Sequence, residues 1–311
     1  MRLVVIGAGG VGGYFGARLA ASGNDVTFVA RGAHLEAMRR HGLRLDSEIG
    51  ALNLAPVKVV ASASAVTAAD AVMFAVKLRD TESAAGSLRG LVGNGATVFT
   101  FQNGVESADR LGRVLGRHNI VAGAARINAQ IAAPGVIRQG GSFAGLEFGE
   151  ADNRPSPRTE ALLAACIEAG IAATRSANIS RSIWLKFAML APLAGLTALT
   201  RGPIGPVRAN PDSRQLLAAA VSETIAVGMA EDAGLIAGDV AATMAAIDAL
   251  PGGVMASMCH DLLAGKPLEL AGLSGAIVRL GQRRKVPVPA HTFIAQALAP
   301  FAEGTQEVAP P

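Results

Sequence analysis

A short apolar run, Arg2-Leu-Val-Val-Ile6, passes straight into Gly7-Ala8-Gly9-Gly10-Val11-Gly12, and no other feature restricts the fold of this chain so tightly. A run this short and rich in β-branched residues reads as a strand buried on both faces, the habit of parallel sheets. A helical stretch through Tyr14, Phe15, Leu19 and Ala20 follows and stops at Ser22-Gly23. A second strand, Val26 to Ala30, comes at the spacing of a βαβ unit. Within that unit the spaced glycines have separate tasks. Gly7 permits a tight turn, Gly9 lets the backbone approach a phosphate group closely, and Gly12 lets helix pack on strand. The amides of the new helix then point at the anion.

The alternation continues. Strands are expected at Val57 to Ala61, Ala71 to Val76 and Thr97 to Phe101, with helices at Ala33 to Arg40, Thr81 to Leu91 and Val105 to Leu115. Asn119 to Ile131 and Gly135 to Phe148 read as an antiparallel closing pair around the turn Pro134-Gly135. Glu150 to Arg158 is polar and carries Pro155 and Pro157, the texture of a linker. Beyond it the helical pattern dominates: Thr159 to Ala169, Ile179 to Thr200, Ser213 to Ala233, Asp239 to Leu250, Val254 to Ala264, Glu269 to Gln282 and Ala290 to Ala302, with a single strand at Ile171 to Arg175. The expected fold is α/β: a Rossmann, doubly wound sheet over 1–150, a linker over 151–158, a helical domain over 159–303 and a frayed tail over 304–311.

Composition narrows the function classes. Hydrophobic residues make up 50% and charged residues 17% of the 311 positions, which excludes a disordered chain. The 28 basic residues barely exceed the 24 acidic ones, and only 4% of positions are aromatic. With so few rings to stack bases, no nucleic-acid partner is expected; a mildly positive cleft for a small anion fits better. The charge-free apolar run Phe187 to Thr200 is broken by Pro192 and Gly195 and is shorter than the ~20 residues that cross a bilayer. No membrane partner is therefore expected. The glycines before Tyr14 and the charge of Arg18 argue that the amino-terminal stretch is mature sequence rather than a signal peptide. Cys166 and Cys259 form no CxxC pair, the pattern of a reduced, cytoplasmic protein. His34, His41, His118, His260 and His291 have no metal-ligand spacing, and no metal is expected.

Dinucleotide sites read the ribose at the end of the second strand, where an acid suits NAD and an arginine suits a 2′-phosphate. Here that strand delivers Arg31, while Asp25 lies at its other end. The planar guanidinium favours NADP(H).

Three further segments, Val76-Lys77, Gln102-Asn103-Gly104 and Ser182-Ile-Trp-Leu-Lys186, follow in order. With the glycine loop and Arg31 they make the chain resemble the ketopantoate reductase (2-dehydropantoate 2-reductase) family of pantothenate biosynthesis, from Met1 to about Ala302. The resemblance implies a Rossmann domain, a helical domain of the 6-phosphogluconate dehydrogenase-like type, and NADPH-dependent reduction of a small 2-oxo acid in the cleft between them; a homodimer is compatible with it. It also implies residue roles. Gly7, Ala8, Gly9, Gly10, Val11 and Gly12 would seat the pyrophosphate and Arg31 the 2′-phosphate. Lys77 and Asn103 would lie beside the cofactor, Asn103 toward the nicotinamide and substrate. Lys186 would be the proton donor, Ser257 a substrate contact, and Glu269 the acid at the cofactor and the lysine. The chemistry suits these types. Hydride arriving at a ketone carbon leaves charge on oxygen, and a lysine ammonium can stabilise that charge and supply the proton.

The chain departs from the family at the polar residues that hold the substrate. Asparagines expected four and eight residues beyond the lysine are Leu190 and Ala194, a third falls near Ile204, and an expected aspartate is Ala271. A less polar 2-oxo acid than ketopantoate is therefore expected, or substitute contacts from Asn128 and Gln130, for which a structural role serves equally. Two other readings stand beside this one. One is a 3-hydroxyacid dehydrogenase of the 6-phosphogluconate type, and the other is an NADP(H) sensor without catalysis.

Overall fold

In the computed structural model, which describes residues 1–304, the first strand shows why the apolar run is continuous. β1 (Arg2–Ile6) sends Leu3 and Val5 into one buried cluster and Val4 and Ile6 into another. A strand between two cores has no polar face. The remaining strands are β2 (Asp25–Val29), β3 (Leu43–Ser47), β4 (Leu52–Leu54), β5 (Lys58–Val60), β6 (Ala71–Phe74), β7 (Thr97–Thr100), β8 (Ile120–Ala133), β9 (Val136–Gly149) and β10 (Ala172–Arg175). Helices α1 (Gly10–Ala21), α2 (Gly32–His41), α3 (Thr81–Gly86), α4 (Arg89–Gly93), α5 (Ser107–Leu115) and α6 (Pro157–Glu168) lie among them.

These strands form one ten-stranded sheet in the order β4-β3-β9-β8-β7-β6-β1-β2-β5, with β10 also on β9. From β5 to β8 every pairing is parallel, as expected of a Rossmann sheet. β9 then returns antiparallel to β8, so the complete sheet is mixed. The outer edge of β9 serves two partners: Val136–Gln139 pairs with β3, and Gly145–Phe148 pairs with β10.

The chain divides into two compact units, Met1–Asn103 with Ser107–Ile179, and Gly104–Glu106 with the chain from Ser180 onward. This division departs from the texture-based boundary at 151–158. Because β10 adds to the sheet, it and α6 belong to the first unit rather than to the helical one. The stretch read as a linker is tied down. Arg158 pairs with Glu150 and donates to the carbonyl of His118, while the Ser156 hydroxyl caps α6.

The second unit is helical: α7 (Ile179–Thr200), α8 (Ile204–Ala209), α9 (Pro211–Ala230), α10 (Asp239–Asp248), α11 (Ser257–Leu263), α12 (Ser274–Arg284) and α13 (Pro289–Leu298). Its core gathers Trp184, Phe187, Leu196, Leu217, Val221, Ile277 and Ile294. By length and composition α7 passes as a bilayer span, but most of it is buried in this core. Gly195 has no room for a side chain, since a Cβ there would stand 2.7 Å from Ile294. A buried polar network stitches α9, α12 and α13 together. The Glu223 carboxylate accepts from the N–H groups of Ala290 and His291 at 2.7 and 2.9 Å, and the His291 ring meets Thr224 and Ser274 at 2.8 and 3.2 Å.

Several elements differ from the sequence reading. β3 and β4 were not expected, and α8 lies between two prolines where none was foreseen. The stretch 81–91 is two short helices, and 269–282 is a single 3₁₀ turn, Leu270–Gly272, followed by α12. Of the expected tail, residues 305–311 lie outside the described residues.

Candidate active site

Four neighbouring strands in the order β7-β6-β1-β2 run parallel, so their carboxyl ends lie along one edge of the sheet. Each end delivers one of the expected residues. Asn103 follows β7, Lys77 follows β6, Gly7 follows β1 and Arg31 follows β2. That edge is where open α/β sheets bind ligands.

The glycine turn is built in layers. Gly7 has φ +90°, and a Cβ on it would stand 2.9 Å from the carbonyl oxygen of Ala75 and the nitrogen of Val76. The N–H groups of Gly7 and Ala8 both donate to the carbonyl of Val29, each at 3.3 Å, which fastens the turn to β2. Gly9 caps α1 without a side chain, leaving Gly10, Val11 and Gly12 as first-turn donors with no carbonyl inside the helix. A Cβ on Gly12 would collide with the carbonyl oxygen of Gly7, and one on Gly10 with that of Ala129 in β8. A Cβ on Gly9 would meet nothing within 4 Å. Gly12 and Gly10 are thus required by packing, whereas Gly9 faces open space at the positive end of a helix.

Arg31 caps the start of α2 and is exposed, with its guanidinium in no ion pair among the described residues. An unneutralised fork at the end of β2, beside first-turn donors at the end of β1, fits a dinucleotide carrying a further phosphate. Lys77 is exposed and Asn103 half-buried.

One residue that positions this edge was not singled out from the sequence as such. Gln102 is 5% exposed; its Nε2 donates to the carbonyl of Val76 at 3.0 Å and to Thr81 Oγ1 at 2.9 Å. Thr81 in turn donates to the carbonyl of Leu78 at 2.7 Å. The two strand ends that carry Lys77 and Asn103 are thereby joined. Asn128 and Gln130 are exposed on β8 and flank Ala129, whose backbone abuts Gly10.

In the second unit, Lys186 is half-buried on α7 between Trp184 and Phe187, whose rings meet edge to face at 5.9 Å. The partly open stripe of α7 around it comprises Ser182, Met189 and Leu190. Ala194 and Ile204, at expected substrate-contact positions, are instead 1% and 0% exposed within the core. Ser257 is exposed at the start of α11. Glu269 is half-buried ahead of the 3₁₀ turn, and its carbonyl accepts from Gly272 and Leu273 at 3.0 and 3.1 Å. Among the described residues no three His, Cys, Asp or Glu side chains gather as metal ligands. Burial pushes the Cys166 thiol up to about 12 and raises Cys259, so neither is poised as a thiolate.

A glycine turn, a bare helix start and a strand-end arginine along one sheet edge define a nicotinamide-dinucleotide oxidoreductase. Residues 3–153 match the family described as ketopantoate reductase PanE/ApbA, and residues 178–302 its C-terminal counterpart. The chain therefore belongs to the ketopantoate reductase family. A 2-dehydropantoate 2-reductase of Mesorhizobium japonicum is 30% identical, over 93% of this chain and 94% of that one. A PanE/ApbA family ketopantoate reductase structure from Ralstonia eutropha superposes with TM-score 0.89 at 31% identity, covering 97% of this chain and 98% of that one. A 2-dehydropantoate 2-reductase structure from Geobacter metallireducens gives TM-score 0.89 at 29% identity, covering 96% and 99%. The chain is an oxidoreductase that acts on CH–OH groups of a small molecule, as its family does.

Proposed function

We propose that this chain reduces a small 2-oxo acid with NADPH. The observation that supports this best is the pairing of Gly9, open at the start of α1, with the unneutralised Arg31 at the end of the next strand. The amides of Gly9 to Gly12 hold the pyrophosphate and Arg31 binds the 2′-phosphate; Lys77 and Asn103 flank the cofactor. Bound there, the reduced nicotinamide supplies a hydride to the substrate's carbonyl carbon. Lys186 stabilises the negative charge that develops on the carbonyl oxygen and gives it a proton, and Glu269 orients that ammonium. Asn103 and Ser257 hold the substrate. In this assignment the first unit is the cofactor unit and the second carries the acid.

The substrate is less polar than ketopantoate. Leu190 stands on the partly open stripe with Lys186, where an apolar side chain leaves a substrate hydroxyl without a partner. The test is NADPH oxidation across a panel of 2-oxo acids, repeated with NADH and with Lys186→Ala. Turnover with NADPH that falls roughly 10²–10⁴-fold in Lys186→Ala while cofactor affinity persists supports the assignment. Ketopantoate as much the best substrate would overturn the apolar preference, and dinucleotide binding with no turnover on any 2-oxo acid would favour a sensor.

A further inference from the structure

His34 stands in the first turn of α2, three residues beyond Arg31, and its ring bridges two distant segments. Nε2 lies 2.8 Å from the carbonyl oxygen of Ala8 in the glycine turn. Nδ1 lies 3.0 Å from the backbone nitrogen of Gly135, in the turn between β8 and β9 and 101 residues away along the chain. A backbone N–H can only donate and a carbonyl can only accept. The ring therefore carries one proton, on Nε2, and is neutral.

The bond to Ala8 has a directional consequence. In a trans peptide the C=O of one residue and the N–H of the next point in opposite directions. Holding the Ala8 carbonyl toward α2 therefore turns the Gly9 N–H away from it, and Gly9 is the glycine whose Cβ would meet open space. We propose that neutral His34 is a positioning residue of the dinucleotide site, aiming the Gly9 N–H and fixing the glycine turn relative to the helix that carries Arg31. This rests on the reading of that turn as the pyrophosphate seat.

The two segments that the ring contacts, Gly7 to Gly12 and Ala133 to Gly135, carry no charged side chain. Strand β3 approaches through the N–H of Arg44, which donates to the carbonyl of Gly135 at 2.9 Å. On α2 and its cap the charged side chains are Arg31, Glu36, Arg39 and Arg40, with Arg31 the one a single turn away. Strand β5, packed on α2, carries Lys58 in an ion pair with Asp25. Burial lowers the His34 pKa from the ordinary histidine value, against the opposing pull of the Ala8 carbonyl. Protonation would set an Nδ1–H against the Gly135 N–H and open the bridge.

The test uses the full chain with His34→Ala, His34→Asn and His34→Gln. The glutamine can donate to Ala8, whereas the asparagine can accept from Gly135 only. NADPH affinity is expected to fall roughly 10-fold in the alanine and asparagine variants and to recover in the glutamine one, with kcat at saturating NADPH within about 2-fold of the parent. In the cofactor-free protein, hydrogen exchange at Gly9 to Gly12 should quicken in His34→Ala. NADP⁺ binding by the parent should weaken more on acidification than that of His34→Ala; the 2′-phosphate titrates alike in both, so the difference belongs to the histidine. Unchanged NADPH affinity in His34→Ala, full function in His34→Asn, or a lower melting temperature with intact affinity would each overturn the proposal. A parent protein that binds neither NADPH nor NADH would bring down the reading of the glycine turn itself, and this assignment with it.

Discussion

Gln102 and Val76 are joined by a 3.0 Å hydrogen bond from a buried side-chain amide to a backbone carbonyl, across the adjacent ends of β7 and β6. Lys77 and Asn103 are the next residues along each chain segment, so one amide sets the spacing of both. Gln102→Leu removes the donor and leaves the Val76 carbonyl and Thr81 hydroxyl without it, at a cost of about 1–3 kcal/mol. We expect a lower melting temperature together with a raised KM for NADPH. A variant as stable and active as the parent would show that the spacing does not matter.

The glycines of the turn separate binding from stability. Gly9→Ala adds a methyl to open space and should melt like the parent while losing much of its NADPH affinity. Gly12→Ala drives a methyl into the carbonyl of Gly7 and should unfold at markedly lower temperature. Calorimetry with and without NADPH distinguishes the two. Equal destabilisation of both variants would contradict the assignment of Gly9 to the ligand.

Arg31→Ala tests cofactor choice. Loss of a charge-assisted contact of about 1.5–3 kcal/mol corresponds to roughly 10–100-fold in affinity. The KM for NADPH should rise by that order while the KM for NADH changes little. A parallel rise in both would remove the 2′-phosphate from the account.

Acid stability should report His291. Burial lowers its pKa from 6.5 to about 4, with the Ala220 carbonyl opposing. As pH falls from 6.5 toward 4 the unfolded chain takes up a proton that the native state refuses, so stability declines, by up to about 3 kcal/mol for this group. Glu223 acts in the other sense, because burial raises its pKa and the native state there gains protons first. Comparing the pH dependence of unfolding in the parent and in His291→Gln isolates the histidine. Identical slopes for the two proteins would refute its contribution.

The parts legible in the sequence are those with local causes. β1 and the glycine turn follow from a β-branched run meeting spaced glycines, and α7 spans the expected Ile179–Thr200. β3 and β4 left a faint trace in the alternation of Leu43 with Leu45 and of Leu52 with Leu54, but each strand is too short to stand out without its partner. α6 and β10 fell on the wrong side of the boundary because only pairing with Gly145–Phe148 places them. His34 and Gln102 were opaque for the same reason. Their partners lie 101 and 26 residues away, and nothing beside them in the chain announces those bonds.

Anyone preparing the halves separately would be misled by the prolines near residue 155. A fragment stopped at 150 would strip β10 from β9 and leave Gly145–Phe148 as a raw edge with unpaired N–H and C=O groups, a template for intermolecular pairing. It would also lose Arg158, which engages Glu150 and the carbonyl of His118. The natural incision lies after Ile179, where the sheet is complete and the long helix is just beginning.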